Sequence, residues 1–304
     1  MKPPNFYAAN GLDRAGHRRR DAAWLAERLA HPETRFVPVW RSQSLVLGLA
    51  SGAPEAVLLA REALVALEGE PILLGLREER AFFALDLSTR EAPLEAIRAP
   101  REPPIEFADL RRVGPLLARP DGALLAYARG IVHWHGRHRF CGVCGSPTRS
   151  EEGGHVRRCT DDACNAQHFP RTDPAVIMLV TDGDRALLGR QKIWPKGQHS
   201  TLAGFVEPGE SLEEAVAREV KEETGIVVED VAYHSSQPWP FPSSIMLGFT
   251  ARAATTEIDL DPEELESARW FERAYILAHP EDNEFRLPRR DSIARRLIED
   301  WLKR

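Results

Sequence analysis

The sequence has few cysteines and no long apolar run, and both absences restrict the kind of protein it encodes. Only four of its 304 residues are cysteine, and all four lie between positions 141 and 164. Because none is left for bridges elsewhere, a disulfide framework along the chain is excluded and a reducing, cytoplasmic setting is expected. The N-terminus lacks the apolar core of a secretory signal, and no run of about 18 apolar residues follows, so no membrane span is predicted.

Basic residues are outnumbered by acidic ones. The chain has 40 lysines and arginines against 46 aspartates and glutamates, which gives a formal net charge of −6. A protein that binds nucleic acid without regard to sequence normally has a basic face, so this balance argues against that as the main function. The hydrophobic content of 43% is typical of soluble globular proteins, and the length leaves room for two domains and a small module.

Three glutamates, Glu219, Glu222 and Glu223, lie on one side of a predicted helix, because positions three and four apart are neighbours on a helix surface. A capping box at Ser211 and Glu214 predicts where this helix begins. The same stripe carries apolar residues that should face the core, and the opposite face is already polar, which disfavours a merely solvated acidic face. Like charges so placed destabilise one another unless a cation neutralises them. The pattern therefore predicts a site for a hard divalent metal ion.

The four cysteines form two close pairs, Cys141 with Cys144 and Cys159 with Cys164. Two such pairs separated by a hairpin-length spacer suit a tetrahedral zinc ion with four thiolate ligands. Four protein ligands leave no open coordination position, so one structural zinc ion is predicted and not a catalytic one. Two disulfides, or buried cysteines without metal, are the alternative.

Strand-like and helical patterns alternate along the rest of the chain. In the first 130 residues the clearest helices are predicted at Ala53–Leu67 and Ala123–Trp134. After the cysteines, a hairpin turn is predicted at Thr181–Asp184, and a Pro-rich loop follows the glutamate helix. The rigid aromatic side chains of that loop could stack flat rings, or they could plug the core. We predict three domains, with bounds 1–135, 136–170 and 171–304.

Residues 204–226 resemble the Nudix box, G-x5-E-x7-R-E-U-x-E-E-x-G-U, where U is a bulky aliphatic residue. Its defined positions are filled by Gly204, Glu210, Arg218, Glu219, Val220, Glu222, Glu223, Gly225 and Ile226. Residues 236–244, SQPWPFPSS, resemble a signature of the NADH pyrophosphatase branch of that family, which carries a zinc ribbon before its Nudix domain. The resemblance implies an α/β (α+β) protein, in which an N-terminal α/β domain and a four-cysteine zinc ribbon precede a Nudix α/β/α sandwich.

The resemblance also implies a metal site. Two or more Mg²⁺ or Mn²⁺ ions would be held by Glu219, Glu223, Glu264 and the backbone carbonyl of Ala203, with Glu263 as the alternative to Glu264. Glu222 would be a further ligand or the general base, and Arg218 is predicted to orient a glutamate.

Substrate contacts are implied for the Pro-rich loop and for three residues elsewhere in the chain. Phe169 stands where the family commonly has a tyrosine, so a stacking ring is expected there without a hydrogen bond. The implied substrate-binding residues are Arg111, Phe169, Gln237, Pro238, Trp239, Pro240, Phe241, Pro242, Ser243, Ser244 and Ala294.

The activity implied by the resemblance is metal-dependent hydrolysis of the pyrophosphate bond of NADH or NAD⁺, which yields NMN(H) and AMP, by a homodimer. One alternative keeps this chemistry and changes the substrate to the NAD cap at the 5′ end of an RNA. Another is a zinc-ribbon nucleic-acid-binding protein with an inactive Nudix domain, and the three intact glutamates argue against it.

Overall fold

The computed structural model describes residues 4–67, 69–98 and 103–304, and the chain divides into two compact units. The unit that we call the N-terminal unit comprises Tyr7–Thr172 together with Trp239–Ser243. The C-terminal unit comprises Met1–Phe6, Asp173–Pro238 and Ser244–Arg304. None of the helices formed by the described residues combines the length and the apolar character needed to cross a lipid bilayer.

The N-terminal unit contains a mixed six-stranded sheet, one long helix and a small three-stranded sheet. Its elements are α1 (Ala22–Ala30), β1 (Arg35–Trp40), β2 (Gln43–Leu47), β3 (Glu55–Ala56), β4 (Ile72–Arg77), β5 (Arg80–Asp86), β6 (Ile105–Asp109), α2 (Leu110–Val113), α3 (Arg119–Arg137), β7 (Thr148–Glu151), β8 (Val156–Cys159) and β9 (Gln167–His168). The large sheet has the order β3-β2-β1-β5-β4, with β6 paired to β2, and α3 packs against β1 and β5. The helix predicted at Ala123–Trp134 is confirmed, since it lies within α3.

The helix predicted at Ala53–Leu67 is wrong. That segment contains the short strand β3 and a single 3₁₀ turn at Arg61–Ala63. The backbone of this segment forms hydrogen bonds with neighbouring strands. Leu59 pairs with Phe36, and the Val57 N–H donates to the Leu45 carbonyl. Val57, Leu59 and Leu64 of this segment are buried in the core of the unit. Tertiary packing here outweighs the high helix propensity of alanine, leucine and glutamate.

The C-terminal unit is built on one mixed sheet with helices on both sides. Its elements are β10 (Asp173–Asp182), β11 (Arg185–Arg190), β12 (Leu202–Phe205), α4 (Leu212–Thr224), β13 (Val228–Trp239), β14 (Ser244–Ala253), β15 (Ser267–Glu272), α5 (Arg273–Ala278) and α6 (Ile293–Leu302). The sheet has the order β13-β14-β10-β11-β15, with β12 paired to β10. The predicted hairpin is confirmed, with Asp182 paired to Arg185 and Gly183 at a φ of 56°.

Strand β10 separates two hydrophobic cores, because successive side chains of a strand point to opposite faces. Val176, Met178 and Val180 contribute to one core together with side chains of α4. Ile177 and Leu179 contribute to the other together with α6. The sheet is therefore covered on both faces, and the predicted α/β/α sandwich is confirmed. The division into domains at 1–135, 136–170 and 171–304 stays a prediction.

Gln237 ties the end of β13 to the start of α6. Its side chain is completely buried, and its Oε1 accepts a hydrogen bond from the Ile293 N–H at 2.7 Å. Its Nε2 donates to the carbonyls of Asp291 at 2.7 Å and Phe6 at 3.1 Å. Each polar atom of this amide therefore serves the fold of the C-terminal unit.

We predict that Gln237→Leu destabilises the C-terminal unit, because it leaves the buried Ile293 N–H without its acceptor. Such a loss costs about 1–3 kcal/mol, which corresponds to a melting temperature lowered by about 3–10 °C. Differential scanning calorimetry of Gln237→Leu and of the wild type checks this. Equal melting temperatures for Gln237→Leu and the wild type would contradict the role of the amide.

Candidate active site

Helix α4 carries the candidate site on the side that faces the sheet. The predicted capping box is present, with the Ser211 hydroxyl accepting from the Glu214 N–H, and Gly225 ends the helix in the left-handed conformation at φ 70°. Ala215, Val216 and Val220 are fully buried on one side of the helix and anchor it in the core. The helix is thus fixed in rotation, and its buried glutamates are held with it.

Two of the three predicted carboxylates are buried, and a third from a distant loop joins them. Glu219 and Glu223 are only 9% and 5% exposed. Carboxylate oxygens of Glu219, Glu223 and Glu264 lie within 4.8 Å of one another. Glu222 and Glu263 line the same cavity but are not part of this cluster. The structure thus favours Glu264 over Glu263 as the third carboxylate, and it leaves Glu222 beside the cluster.

The cluster is electrostatically unsatisfied. Burial, together with the neighbouring Glu219 and Glu264, raises the pKa of Glu223 to about 8. Burial also raises the pKa of Glu219, although hydrogen bonding to Arg218 opposes this. The Glu223 Oε2 is buried and has no hydrogen-bond partner among the described residues. Oxygen ligands of this kind suit Mg²⁺ or a similar hard cation, so the residues present fit a divalent metal.

Arg218 organises the glutamates around the cluster. Its guanidinium forms a two-pronged ion pair with Glu210, at 2.6 and 2.9 Å. Its Nη1 lies 2.9 Å from Glu219 Oε1 and 2.9 Å from Glu222 Oε2. The pKa of Glu210 falls to about 2, because Arg218 donates to its ionised form. Arg218 therefore contacts three carboxylates, and the Glu223 oxygen without a partner is not among them.

Gly204 allows Glu219 to lie close to strand β12. A Cβ atom built on Gly204 would lie 1.8 Å from the Glu219 carboxyl carbon. Any larger residue at this position would displace the carboxylate. Ala203, the preceding residue, pairs with Ile177 of β10 and lines the same cavity. The motif therefore needs glycine at this position for a steric reason.

The carboxylates face a cavity of about 760 Å³ within the C-terminal unit. Its wall includes the predicted residues Ala203 and Arg218, and also residues that the sequence did not point to. Phe205 is 61% exposed and Ile193 is 87% exposed, although both are large and apolar. Gln191 and Lys192 line the cavity beside Ile193. The sequence feature that could have pointed to Phe205 is its place in the Nudix box. It is an aromatic residue directly after the first glycine, at a position that the motif leaves undefined.

The Pro-rich loop forms an aromatic cluster with residues of the N-terminal unit. The rings of Trp239 and Phe241 lie 4.9 Å apart, edge to face, and Tyr7 packs against both. Arg111 and Arg129 lie over the Phe241 ring, at 5.0 and 4.9 Å. Phe241 is 6% exposed, whereas Trp239 is only half-buried. One aromatic residue thus plugs the core, and the other leaves part of its ring accessible.

The remaining predicted substrate residues lie in different surroundings. Phe169 is 61% exposed at the end of the three-stranded sheet, and Ala294 is buried in the first turn of α6. Arg111 donates to the Phe241 carbonyl at 3.3 Å. Arg129 was missed by the sequence analysis, and it donates to the carbonyls of Pro240 and Ser42. The other loop residues differ in exposure: Pro238 and Pro242 are exposed, Pro240 is buried, and Ser243 and Ser244 are half-buried.

The four cysteines come together as predicted. Their Sγ atoms lie within 4.8 Å of one another, and none forms a disulfide. The Val143 N–H donates to Cys141 Sγ and the Asp161 N–H donates to Cys159 Sγ, both at 3.4 Å. These knuckle turns and the four-sulfur donor set fit a tetrahedral zinc ion.

Comparisons with known proteins agree with this arrangement. Three family models match the chain: a NADH pyrophosphatase-like rudimentary NUDIX domain at residues 33–134, a NADH pyrophosphatase zinc ribbon domain at 137–169 and a NUDIX domain at 171–290. With the four clustered thiols, the second match supports a structural zinc site. The NUDIX match implies a divalent metal.

Three curated relatives are similar over most of the chain. The NAD-capped RNA hydrolase NudC of Stutzerimonas stutzeri is 44% identical, and the match covers 82% of this chain and 80% of that protein. The NAD-capped RNA hydrolase NUDT12 of Homo sapiens is 36% identical, with coverage of 98% and 73%. The NudC protein of Mycobacterium bovis is 36% identical, with coverage of 96% and 92%.

We predict that Mg²⁺ stabilises the protein through Glu223. At a concentration 100-fold above the dissociation constant, binding adds about 2.7 kcal/mol, which raises the melting temperature by about 5–10 °C. Glu223→Gln should melt no lower than the metal-free wild type, because a neutral amide of nearly the same shape replaces a buried carboxyl that is costly to ionise, but it should lose the response to Mg²⁺. Glu213→Gln, on the exposed face of α4, should keep that response. An undiminished response in Glu223→Gln would remove Glu223 from the metal site.

We predict one zinc ion per chain, bound by the four thiolates. Cys144→Ser should lower the zinc content measured by elemental analysis and lower the melting temperature of the N-terminal unit, because a small module without a large core depends on its metal. A protein purified without zinc that melts at the same temperature as the zinc-containing form would contradict this.

Proposed function

This chain belongs to the Nudix family, in the NADH pyrophosphatase-like branch that carries a zinc ribbon, and we propose that it hydrolyses the pyrophosphate bond of NADH or NAD⁺ to NMN(H) and AMP. The observation that carries the proposal is the cluster of Glu219, Glu223 and Glu264 beside the cavity, with a buried Glu223 oxygen that lacks a partner. A carboxylate cluster of this kind is suited to a reaction in which phosphate charge must be neutralised. Cytoplasmic location and assembly as a homodimer are further parts of the proposal, and they rest on the resemblance.

The metal site would consist of Glu219, Glu223, Glu264 and the Ala203 carbonyl, and would hold two or more Mg²⁺ or Mn²⁺ ions. When bound, such ions neutralise the pyrophosphate oxygens and lower the pKa of water. Arg218 would hold Glu219 and Glu222 in place through its two bonds of 2.9 Å. In the reaction, the water oxygen bonds to one phosphorus, the bridging P–O bond breaks, and the bridging oxygen leaves with the other phosphate.

We assign Glu222 the role of general base, because it borders the cluster without joining it. Its carboxylate is about half exposed, and Arg218 holds one of its oxygens, Oε2. The other oxygen would accept the proton of the attacking water. The Pro-rich loop would bind a flat ring of the dinucleotide on the accessible part of Trp239, and the edge-to-face contact with Phe241 at 4.9 Å would hold the Trp239 ring in place. Gln237 would act indirectly, by fixing β13 and α6.

A second candidate function keeps the chemistry and changes the substrate to the NAD cap of an RNA. It is favoured because the three relatives described above are named NAD-capped RNA hydrolases. The reacting pyrophosphate is the same in both substrates, so the glutamate cluster supports both equally. An inactive Nudix domain with a nucleic-acid-binding ribbon is disfavoured by the complete carboxylate cluster.

The test is hydrolysis of NAD⁺, NADH and an NAD-capped RNA by the full chain with Mg²⁺ or Mn²⁺, with identification of the products. AMP and NMN(H) are expected from the free dinucleotides, and NMN with a 5′-monophosphate RNA from the capped one. The ratio of the kcat/KM values ranks the two substrate classes. If no product forms from any of the three with either metal, the proposal is refuted.

Glu222→Gln should lower kcat by about 10²- to 10⁴-fold, because the base that takes the proton is lost. Its melting temperature should still rise with Mg²⁺, since Glu222 lies outside the cluster. If the Mg²⁺ response disappears together with activity, Glu222 is a metal ligand and not the base. Glu213→Gln again serves as the control, with activity near that of the wild type.

A further inference from the structure

We propose that Lys192 binds a phosphate group of the substrate at the wall of the glutamate cavity, which makes it a specificity-determining residue for phosphoric anhydrides. The inference rests on the proposed function in that the substrate carries a pyrophosphate. Lys192 lies outside the Nudix box and outside the Pro-rich loop, and nothing in the sequence pattern pointed to it.

The wall of the cavity carries a large excess of acidic side chains. Among the described residues, its wall contains seven glutamates and only two basic residues, Lys192 and Arg218. The glutamates are Glu207, Glu219, Glu222, Glu223, Glu263, Glu264 and Glu266. An anionic substrate entering this cavity meets strong repulsion, which the metal ions would relieve only where they are bound. A further cation on the wall would favour the binding of a phosphate group in this acidic cavity.

Arg218 is not available to bind a phosphate group, because its guanidinium already forms hydrogen bonds within the protein. Its guanidinium contacts Glu210, Glu219, Glu222 and the Phe205 carbonyl. Lys192, by contrast, is exposed and forms no ion pair with any of the residues that the structure describes. An ammonium group on a flexible stem is a common phosphate ligand. Lys192 is thus the cation of the wall that is available to a ligand.

The loop that carries Lys192 is anchored at its base. Arg190 forms an ion pair of 2.8 Å with Glu266, which itself lines the cavity. The same guanidinium donates to the carbonyls of Trp194 at 3.2 Å and Pro195 at 2.5 Å. The Trp194 N–H donates to the Gln191 carbonyl at 3.1 Å. The turn is therefore fixed with Lys192 on the cavity wall, which lowers the entropic cost of using it to bind a ligand.

The adjacent Ile193 indicates what kind of group could be attached to a phosphate that binds at this wall. Its side chain is 87% exposed, and it lines the cavity together with Phe205. A cation beside two accessible apolar surfaces matches a ligand in which a phosphate is linked to a flat or sugar-bearing group. Inorganic phosphate alone would use only the lysine.

The experiment compares Lys192→Gln and Lys192→Arg with Lys196→Gln, a matched control on the same loop that does not line the cavity. Binding of AMP and of NMN is measured by isothermal titration calorimetry with Mg²⁺ present, and Mg²⁺ binding is measured alone. KM and kcat are measured with NAD⁺. Lys192→Gln should weaken binding of AMP or NMN by about ten- to a hundredfold and raise KM similarly, because a charge-assisted hydrogen bond is lost.

The opposite sign of two readouts separates a binding role from damage to the fold. Removing a cation from an acidic cavity leaves Mg²⁺ binding unchanged or tighter, whereas a distorted cavity would weaken Mg²⁺ and phosphate ligands together. Lys192→Arg should retain AMP and NMN binding within about threefold, and Lys196→Gln within about twofold. The proposal is overturned if Lys192→Gln binds both mononucleotides as the wild type does, or if it loses Mg²⁺ to the same extent. If the wild type fails to hydrolyse NAD⁺, the proposed function fails, and the titrations still decide the role of Lys192.

Discussion

The repulsion among Glu219, Glu223 and Glu264 is the constraint on which the site depends. Two of these carboxylates are almost fully buried on a helix whose rotation is fixed by Val216 and Val220 in the core. Arg218 compensates Glu219 from one side, but the Glu223 Oε2 keeps no partner among the described residues. A protein gains nothing in stability from such an arrangement. The cluster has the charge and the oxygen ligands that suit a divalent cation, and the rest of the C-terminal unit holds these carboxylates in place against their mutual repulsion.

That rigidity has identifiable sources. Alternate residues of β10 enter separate cores on the two faces of the sheet, so α4 and α6 are both packed against the same strand. The missing side chain of Gly204 allows the Glu219 carboxyl group to lie against β12. Gln237 then fixes the exit of β13 and the beginning of α6 through a saturated, buried amide. Helix and strand positions, more than loop positions, hold the carboxylates, as expected for groups that must keep their geometry against mutual repulsion.

The features that could be predicted from the sequence were those with local causes. The bounds of α4 follow from its capping box and Gly225, and the hairpin follows from its turn residues. The cysteine cluster follows from the spacing of the four cysteines along the chain. The Nudix box is likewise a pattern within one continuous segment. The helix prediction for residues 53–67 was wrong because this segment pairs with Phe36 and Leu45. These are tertiary contacts, and they outweigh the helix propensity of the segment. Lys192 and Phe205 were missed for a related reason, since lining a cavity is a property of the folded chain and leaves no periodic signal.

The zinc ribbon is bound to the rest of the N-terminal unit by buried polar contacts, and this bears on its role. His155 Nε2 lies 2.7 Å from the Leu73 carbonyl of β4, and His135 Nε2 of α3 lies 2.7 Å from the Gly154 carbonyl. Burial lowers the pKa of His155 to about 4 and also lowers that of His135, so both imidazoles are neutral at pH 7. Arg157 donates to His135 Nδ1, which leaves the proton on Nε2, where it can reach the carbonyl. The inner side of the ribbon is therefore used to pack against β4 and α3, and these contacts join the four-cysteine site to the core of the N-terminal unit.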